Sequence, residues 1–176
     1  MLLSRSAFLI CLCAFSLRLF SASPNVSFGG IHLSLSPDSG QIALSCQGAI
    51  GVFDRSDGVL HLLTKGPGWD IQPVWMPSGG HILFSRSVDF RVGNLMRLEV
   101  ASGEVGNLGV RVRGPIRMFP SGNKVLGHFS TTGYPNRIGY FDFNKREIAS
   151  IDGLKEGHDV QIGDAFAITT SGETLV

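Results

Sequence analysis

The sequence predicts an all-β fold assembled from a repeated four-stranded unit, and three observations carry that prediction. Gly accounts for 23 of 176 residues and charged residues for only 16%, with no long amphipathic helical pattern, a composition that favours short strands joined by tight turns. A Pro-led turn followed by an aliphatic strand occurs three times, at Pro37-Asp38-Ser39-Gly40, Pro77-Ser78-Gly79-Gly80 and Pro120-Ser121-Gly122-Asn123, spaced by 40 and 43 residues. Each period holds four strand-like pieces in the same order, which is the signature of a β-propeller blade.

The first copy reads "IHLSL", the turn, "QIALS", "IGVFD" and "GVLHLLT". The second reads "QPVWM", the turn, "HILFS", "LMRLEV" and "GEVGNL"; the third reads "GPIRMF", the turn, "KVLGHF", "IGYFDF" and "EIASID". A fourth begins late, where "SGETLV" (171–176) matches "SGNKVL" (121–126) at an offset of 50 residues. His158-Asp159-Val160-Gln161 likewise echoes Trp69-Asp70-Ile71-Gln72. The expected organisation is therefore blades at 24–66, 67–108 and 109–152, with the start of a fourth at 153–176: about three and a half four-stranded antiparallel blades. The turn recurs for a physical reason. Pro fixes φ at about −65°, Asp or Ser bonds the backbone two residues on, and Gly accepts the positive φ that other residues resist. The aliphatic pairs that follow, Ile42/Leu44 and Ile82/Phe84, alternate with small or polar residues, as in strands packed between neighbouring blades. One blade cannot bury both of its faces alone, so the units must stack.

Ahead of the repeats, residues 1–23 have the layout of a secretory signal peptide: an early Arg5, an apolar run from Ala7 to Leu17, then Ser21, Ala22 and Ser23. The run is shorter than the roughly 20 apolar residues a membrane span needs, and Arg18 interrupts it. A retained anchor is the alternative. Bulky Ile10 and Leu12 precede Cys11 and Cys13 and argue against lipid attachment. With this segment removed, Cys46 is the remaining cysteine, so an intramolecular disulfide and a thiolate metal site are excluded; Cys46 reads as a small buried hydrophobe. The Asn25-Val26-Ser27 sequon is a glycosylation acceptor wherever the host glycosylates. An exported chain, periplasmic or extracellular, is expected.

The net charge is +1, and without Arg5 and Arg18 the remaining 13 basic residues face 14 acidic ones. No electrostatic footprint for nucleic acid is present. Arg111, Arg113 and Arg117 form the one basic concentration; alternate arginines on a strand read as a solvated face, with an anion or partner patch as the sharper reading. No Gly-x-Ser-x-Gly, His-Glu-x-x-His or phosphate-binding glycine loop occurs. His32, His61, His81, His128 and His158 fall at different blade positions and read as structural. Asp70 and Asp159 precede inner strands, where a carboxylate caps backbone N–H groups, with ligand contact in the central channel as the alternative. Among Trp69, Trp75, Tyr134 and Tyr140, Trp75 reads as core and Tyr134, in "STTGYPNR", as the surface candidate. No catalytic residue, metal ligand or cofactor site is assigned.

The phrases "SPDSGQIALS", "DIQPVWMPSGGHILFS" and "IGVFDRSDGVLHLLT" resemble the PD40 (WD40-like) repeats of TolB-like propellers. Asp70, Pro73 and Trp75 match the family's loop Asp and Pro-x-Trp strand. Ser36, Pro37, Asp38 and Gly40 match Ser-Pro-Asp-Gly with Ser39 inserted, and Asp54 and Leu63-Thr64 match the closing strands. The likeness runs from Val26 onward and fades in the third copy, where Met118-Phe119-Pro120-Ser121 stands in place of Trp-Ser-Pro-Asp. Such propellers have six or more blades. The resemblance thus implies a truncated frame, an exon-limited fragment or a half-propeller completed by another subunit, for instance as a homodimer. It implies an exported, non-catalytic scaffold that binds a protein or peptide, with no nucleic acid partner, no membrane insertion after signal cleavage and no cofactor. Two alternatives remain: the gating propeller of a prolyl-oligopeptidase-type peptidase, and a carbohydrate-active propeller similar to oligogalacturonide lyases.

Overall fold

The chain divides into Met1–Gly30 and Ile31–Val176. The computed structural model describes residues 32–130 and 137–151 and two short strand pieces at 167–168 and 174–175. The signal segment, His158, Asp159 and Tyr134 lie outside the described residues.

Strands and turns make up the described residues, without a helix among them, and no helix there is long and apolar enough to cross a membrane. The first sheet contains β1 (Leu33–Leu35), β2 (Gln41–Cys46), β3 (Ala49–Asp54) and β4 (Leu60–Leu62), in sequence order and antiparallel throughout. The second contains β5 (Trp69–Trp75), β6 (His81–Ser87), β7 (Gly93–Glu99), β8 (Val105–Met118), β9 (Lys124–Ser130), β10 (Arg137–Asp142) and β11 (Glu147–Ser150), again in order. β12 (Ala167–Ile168) and β13 (Thr174–Leu175) form a separate pair.

The repeat is visible atom by atom at the Pro-led corner. Ser36, Met76 and Phe119 each donate their N–H to the carbonyl five residues on, at 2.9, 2.9 and 3.0 Å. Their carbonyls in turn accept from Ser39, Gly79 and Gly122, at 2.8, 2.9 and 2.9 Å. Those three residues share the left-handed conformation, with φ of 61°, 76° and 73°. Ser39 is therefore no insertion: it fills the place of the two glycines, and the three turns have the same length. A side chain is tolerated there because Asp38 ties the corner together, accepting from Ser36 Oγ at 2.6 Å and Gly40 N at 3.0 Å. A second corner repeats in the same way, where Gly58, Gly103 and Arg146, all at positive φ, donate to the carbonyls of Asp54, Glu99 and Asp142.

"GEVGNL" and "GPIRMF", expected as two strands, form one 14-residue strand, β8. Its first part pairs with β7 and its last part with β9, and Arg111 and Val112 pair with both. Gly109 and Gly114, at φ of 78° and 70°, lie inside the two register shifts, so the strand bends between blades without ending.

Blade faces alternate as a period of two demands. Ala43, Ile50 and Val52 of the first blade bury against Trp75, Ile82, Phe84, Met96 and Leu98 of the second. Leu83, Leu95 and Val112 on the opposite side meet Ile116, Val125, Phe129 and Phe141 of the third. Trp75 is core, as expected, and its backbone N–H donates to Ser34 Oγ at 2.9 Å, tying the innermost strands of two blades. The other side of the first blade carries two cross-strand rows, Leu35-Ile42-Phe53-Leu60 and Leu33-Leu44-Gly51-Leu62.

Candidate functional site

One rim of the strand array gathers the start of β5, the end of β6, the loop 88–92 and the β2–β3 turn. β5 leans on the neighbouring blade there, because Asp70 N donates to the Gly48 carbonyl at 3.0 Å. The Trp69 ring lies over Gly48, where a Cβ would stand 3.2 Å from the ring and φ is +80°; Gly fits that close approach without strain. Beneath the rim, fully buried Asp70 accepts from Arg86 Nε at 2.7 Å and Nη2 at 2.8 Å. The two are cross-strand partners, and this bidentate geometry is the strong form of an ion pair. The carboxylate holds the Arg86 guanidinium above its ordinary pKa, chiefly by hydrogen bonding. Gly66 covers the guanidinium so closely that a Cβ would lie 2.6 Å from its central carbon.

The loop after β6 is stitched by side chains. The Ser87 Oγ–H is shared between Asp89 Oδ1 and the Val92 carbonyl, both at 3.2 Å, and Asp89 Oδ1 accepts from Arg91 N at 3.0 Å. The Arg91 N–H is the main reason the Asp89 carboxyl stays below its ordinary pKa. Phe90, at φ of 63°, is thereby held against Trp69, ring centroids 4.6 Å apart and tilted by 40°. Both rings stay open to solvent, Trp69 at 44% and Phe90 at 41%, beside Val88 at 83%.

A second feature is a groove of about 380 Å³ along the innermost strands β1, β5 and β8, lined by His32, Ser34, Gln72, Pro73, Ile116 and Arg117 among others. A one-residue bulge between Ile71 and Val74 places Gln72 at φ of 58°. Its Oε1 is buried and makes no hydrogen bond among the described residues.

No family model and no curated protein matches the chain. Solved structures do. TolB from Acinetobacter baumannii superposes with a TM-score of 0.58 at 20% identity, covering 81% of this chain and 36% of that one. The β-propeller domain of Cps50 (Swd1) from Myceliophteria thermophila gives 0.52 at 17% identity, covering 80% and 45%. The chain is a β-propeller segment. An oligogalacturonate lyase in complex with manganese gives 0.53 at 16% identity, covering 67% and 38%, so the segment spans less than half of each of these three structures.

In propeller terms, the residues singled out in the sequence disperse. Asp70, expected to cap backbone N–H groups, gives both carboxylate oxygens to Arg86 because the β5 bulge sets the two opposite each other. Arg111, Arg113 and Arg117 are all exposed, as a solvated face requires, and Arg117, beyond the Gly114 bend, also lines the groove. His32 lines the groove; His61 is exposed on β4, and His81 and His128 are half-buried on other strands. Among the described residues no three His, Cys, Asp or Glu gather as a metal site. Cys46, expected to be buried, is half-buried at the end of β2, next to the turn. Tyr140 packs edge-on to Phe119 at 6.0 Å under the Lys124 ammonium, which sits 4.4 Å from its ring. Trp69 is thus the exposed tryptophan. The sequence reading missed Arg86, Val88, Phe90 and Gln72; the alternation of apolar Val88 and Phe90 with Asp89 and Arg91 just after the strand is the signal that could have found Phe90.

Proposed function

We propose that this chain is part of an exported, non-catalytic propeller that binds a protein or peptide partner at the Trp69–Phe90 rim. The observation that carries the reading is a pair of open aromatic rings, with Val88 beside them, fixed from below by a buried bidentate ion pair. Large rigid aromatics contribute most at interfaces because they bury much area and lose few rotamers. A loop locked by Ser87 and Asp89 holds those rings in place before binding, which lowers the ordering cost. Export is supported by the composition of residues 1–23.

The test is selection of displayed peptides on the protein, followed by titration of the selected peptides. Trp69→Ala and Phe90→Ala should each weaken binding at least about tenfold, the cost of losing a hot-spot aromatic, while Arg117→Ala leaves it unchanged. Peptides bound equally well by Trp69→Ala would sink this reading.

The groove favours a second reading, a carbohydrate-active propeller. Arg117 and His32 supply donors and Gln72 Oε1 a buried acceptor, a set suited to an acidic sugar, and the lyase above has this fold. Incubation with oligogalacturonate and manganese, monitored by ultraviolet absorbance of an unsaturated product, separates the two readings: product formation that Arg117→Ala abolishes would replace the first with the second.

A further inference from the structure

We infer, on the basis of the rim reading above, that the partner is an acidic peptide segment, whose carboxylates meet Arg91, Arg111 and Arg113 while an apolar residue packs on Trp69 and Phe90. Strand direction sorts the connections into two ends. β6 runs from its Pro-led corner to the loop 88–92, and β8 reaches the same rim at Val112, which pairs with Gly93 beside that loop. Both kinds of corner lie at the opposite end, bonded to each other: Arg55, Val100 and Phe143 N–H donate to the Gly40, Gly80 and Asn123 carbonyls at 3.0, 3.0 and 2.9 Å. Charge is sorted the same way. Lys65, Arg91, Arg111 and Arg113 stand exposed at the rim, and among the described residues none of them has an ion-pair partner. Arg86 is answered by Asp70. Asp89 is exposed among these cations, but its Oδ1 is engaged by Ser87 and the Arg91 N–H of its own loop. Residues 131–136, which join β9 to β10, add no charged side chain.

The corner end has the other sign. Among the described residues it carries Asp38, Asp54, Asp57, Glu99, Glu104 and Asp142 against Arg55, Lys124 and Arg146, while Lys145 and Glu147 pair with each other at 3.6 Å. A net charge of only +1 is thus divided into a positive rim and a negative corner end, and a surface of one sign steers and orients a partner of the other. Register sets the spacing. Asp70, Arg86, Asn94, Arg111 and Ser130 are successive cross-strand partners, which share a face. With strands about 4.8 Å apart, Arg111 stands about 14 Å across the array from β5, a distance an extended peptide covers in about four residues. Arg113 follows two positions on, and a guanidinium fork suits a carboxylate. A nucleic acid backbone fits less well, because its binding draws on about six or more phosphate contacts and Asp89 would repel it.

Fluorescence anisotropy of labelled synthetic peptides with the full chain tests this. Each peptide has one Trp and, about four positions on, Asp-Glu-Asp, Asn-Gln-Asn or Lys-Arg-Lys. The acidic peptide should bind about tenfold more tightly than the neutral one at about 0.05 M salt and lose that advantage at about 0.5 M. Arg111→Glu combined with Arg113→Glu should abolish the advantage and pass it to the Lys-Arg-Lys peptide, whereas Trp69→Ala should weaken the acidic and neutral peptides alike. Acidic and neutral peptides that bind equally, both through Trp69, would overturn the acidic partner and leave the rim reading standing. An acidic preference that depends on the two arginines but not on Trp69 would overturn the rim reading alone. Failure of all three peptides to bind would overturn both, and an oligodeoxythymidylate that displaces the acidic peptide at lower concentration than the unlabelled peptide does would replace the acidic partner. Should the double variant fail to fold, the unaltered chain decides: an acidic advantage undiminished by salt overturns the inference.

Discussion

The first and second blades present the same aliphatic pair after the same turn, yet Ile82 and Phe84 are sealed while Ile42 and Leu44 are only half-buried. The strands are equally regular; what differs is the neighbour. In a repeat architecture the stability of a unit is its own plus that of its interfaces, so one pattern of residues has two energetic meanings according to position in the stack. The largest test of this difference is truncation of the pair. Phe84→Ala should cost about 3–5 kcal/mol, as for other buried Phe residues, whereas Leu44→Ala, at the half-covered site, should cost the monomer less than about 2 kcal/mol. Urea denaturation of both variants checks the contrast, and equal losses would mean that the first blade's face is covered in the monomer.

Next in size is the buried Asp70–Arg86 ion pair of the second blade. Asp70→Ala leaves a guanidinium whose side chain is one-fifth exposed, so the loss should fall below the upper range for a broken buried pair, at about 2–3 kcal/mol. The same substitution should increase the mobility of Trp69, read as a fall in its fluorescence anisotropy. An unaltered melting temperature would mean that the rim does not depend on the pair.

The corners give a smaller and reciprocal effect. Gly79→Ala forces a Cβ into φ of 76° and should cost about 1 kcal/mol, while Ser39→Gly relieves φ of 61° and should gain up to about 1 kcal/mol. Thermal melts that move in the same direction for both would show that the corners are not equivalent.

The smallest effect is that of acid. Ser36 Oγ–H, followed by the Gly40 N–H, holds the Asp38 carboxyl below its ordinary pKa, and Ser56 does the same for Asp54. A depressed folded-state pKa contributes stability above the unfolded value, and that stability disappears as pH falls through the folded value. Below about pH 4, amide exchange at Gly40 and Gln41, relative to intrinsic rates, should therefore rise, while Gly80 and His81, at a corner built with Ser78 in place of Asp38, keep their protection. Parallel behaviour at both corners would contradict a role for the Asp38 carboxylate.

Much of the fold was legible because it is local. Each Pro-led corner is set by residues within five positions, and strand alternation by a period of two. Ser39 misled for the same reason: matching letters to Gly40 suggested an insertion, whereas the backbone needed one left-handed residue and accepted Ser in that place. The rim was half legible. Trp69 and Asp70 stood out in the sequence, but their partners Phe90 and Arg86 lie across a hairpin whose register depends on one extra residue.

By itself the sequence determined an all-β repeat, its turn geometry, which aliphatic residues alternate inward, and the core place of Trp75. Such features follow from φ restrictions and strand periodicity, which act over a few neighbours. Only the tertiary structure decided that the β5 bulge sets Asp70 against Arg86, that two glycines carry β8 unbroken from one blade to the next, and that, among the described residues, one apolar face is sealed while its twin is half-exposed. Those outcomes depend on which strands meet, and burial belongs to the contact between surfaces, which no single strand encodes.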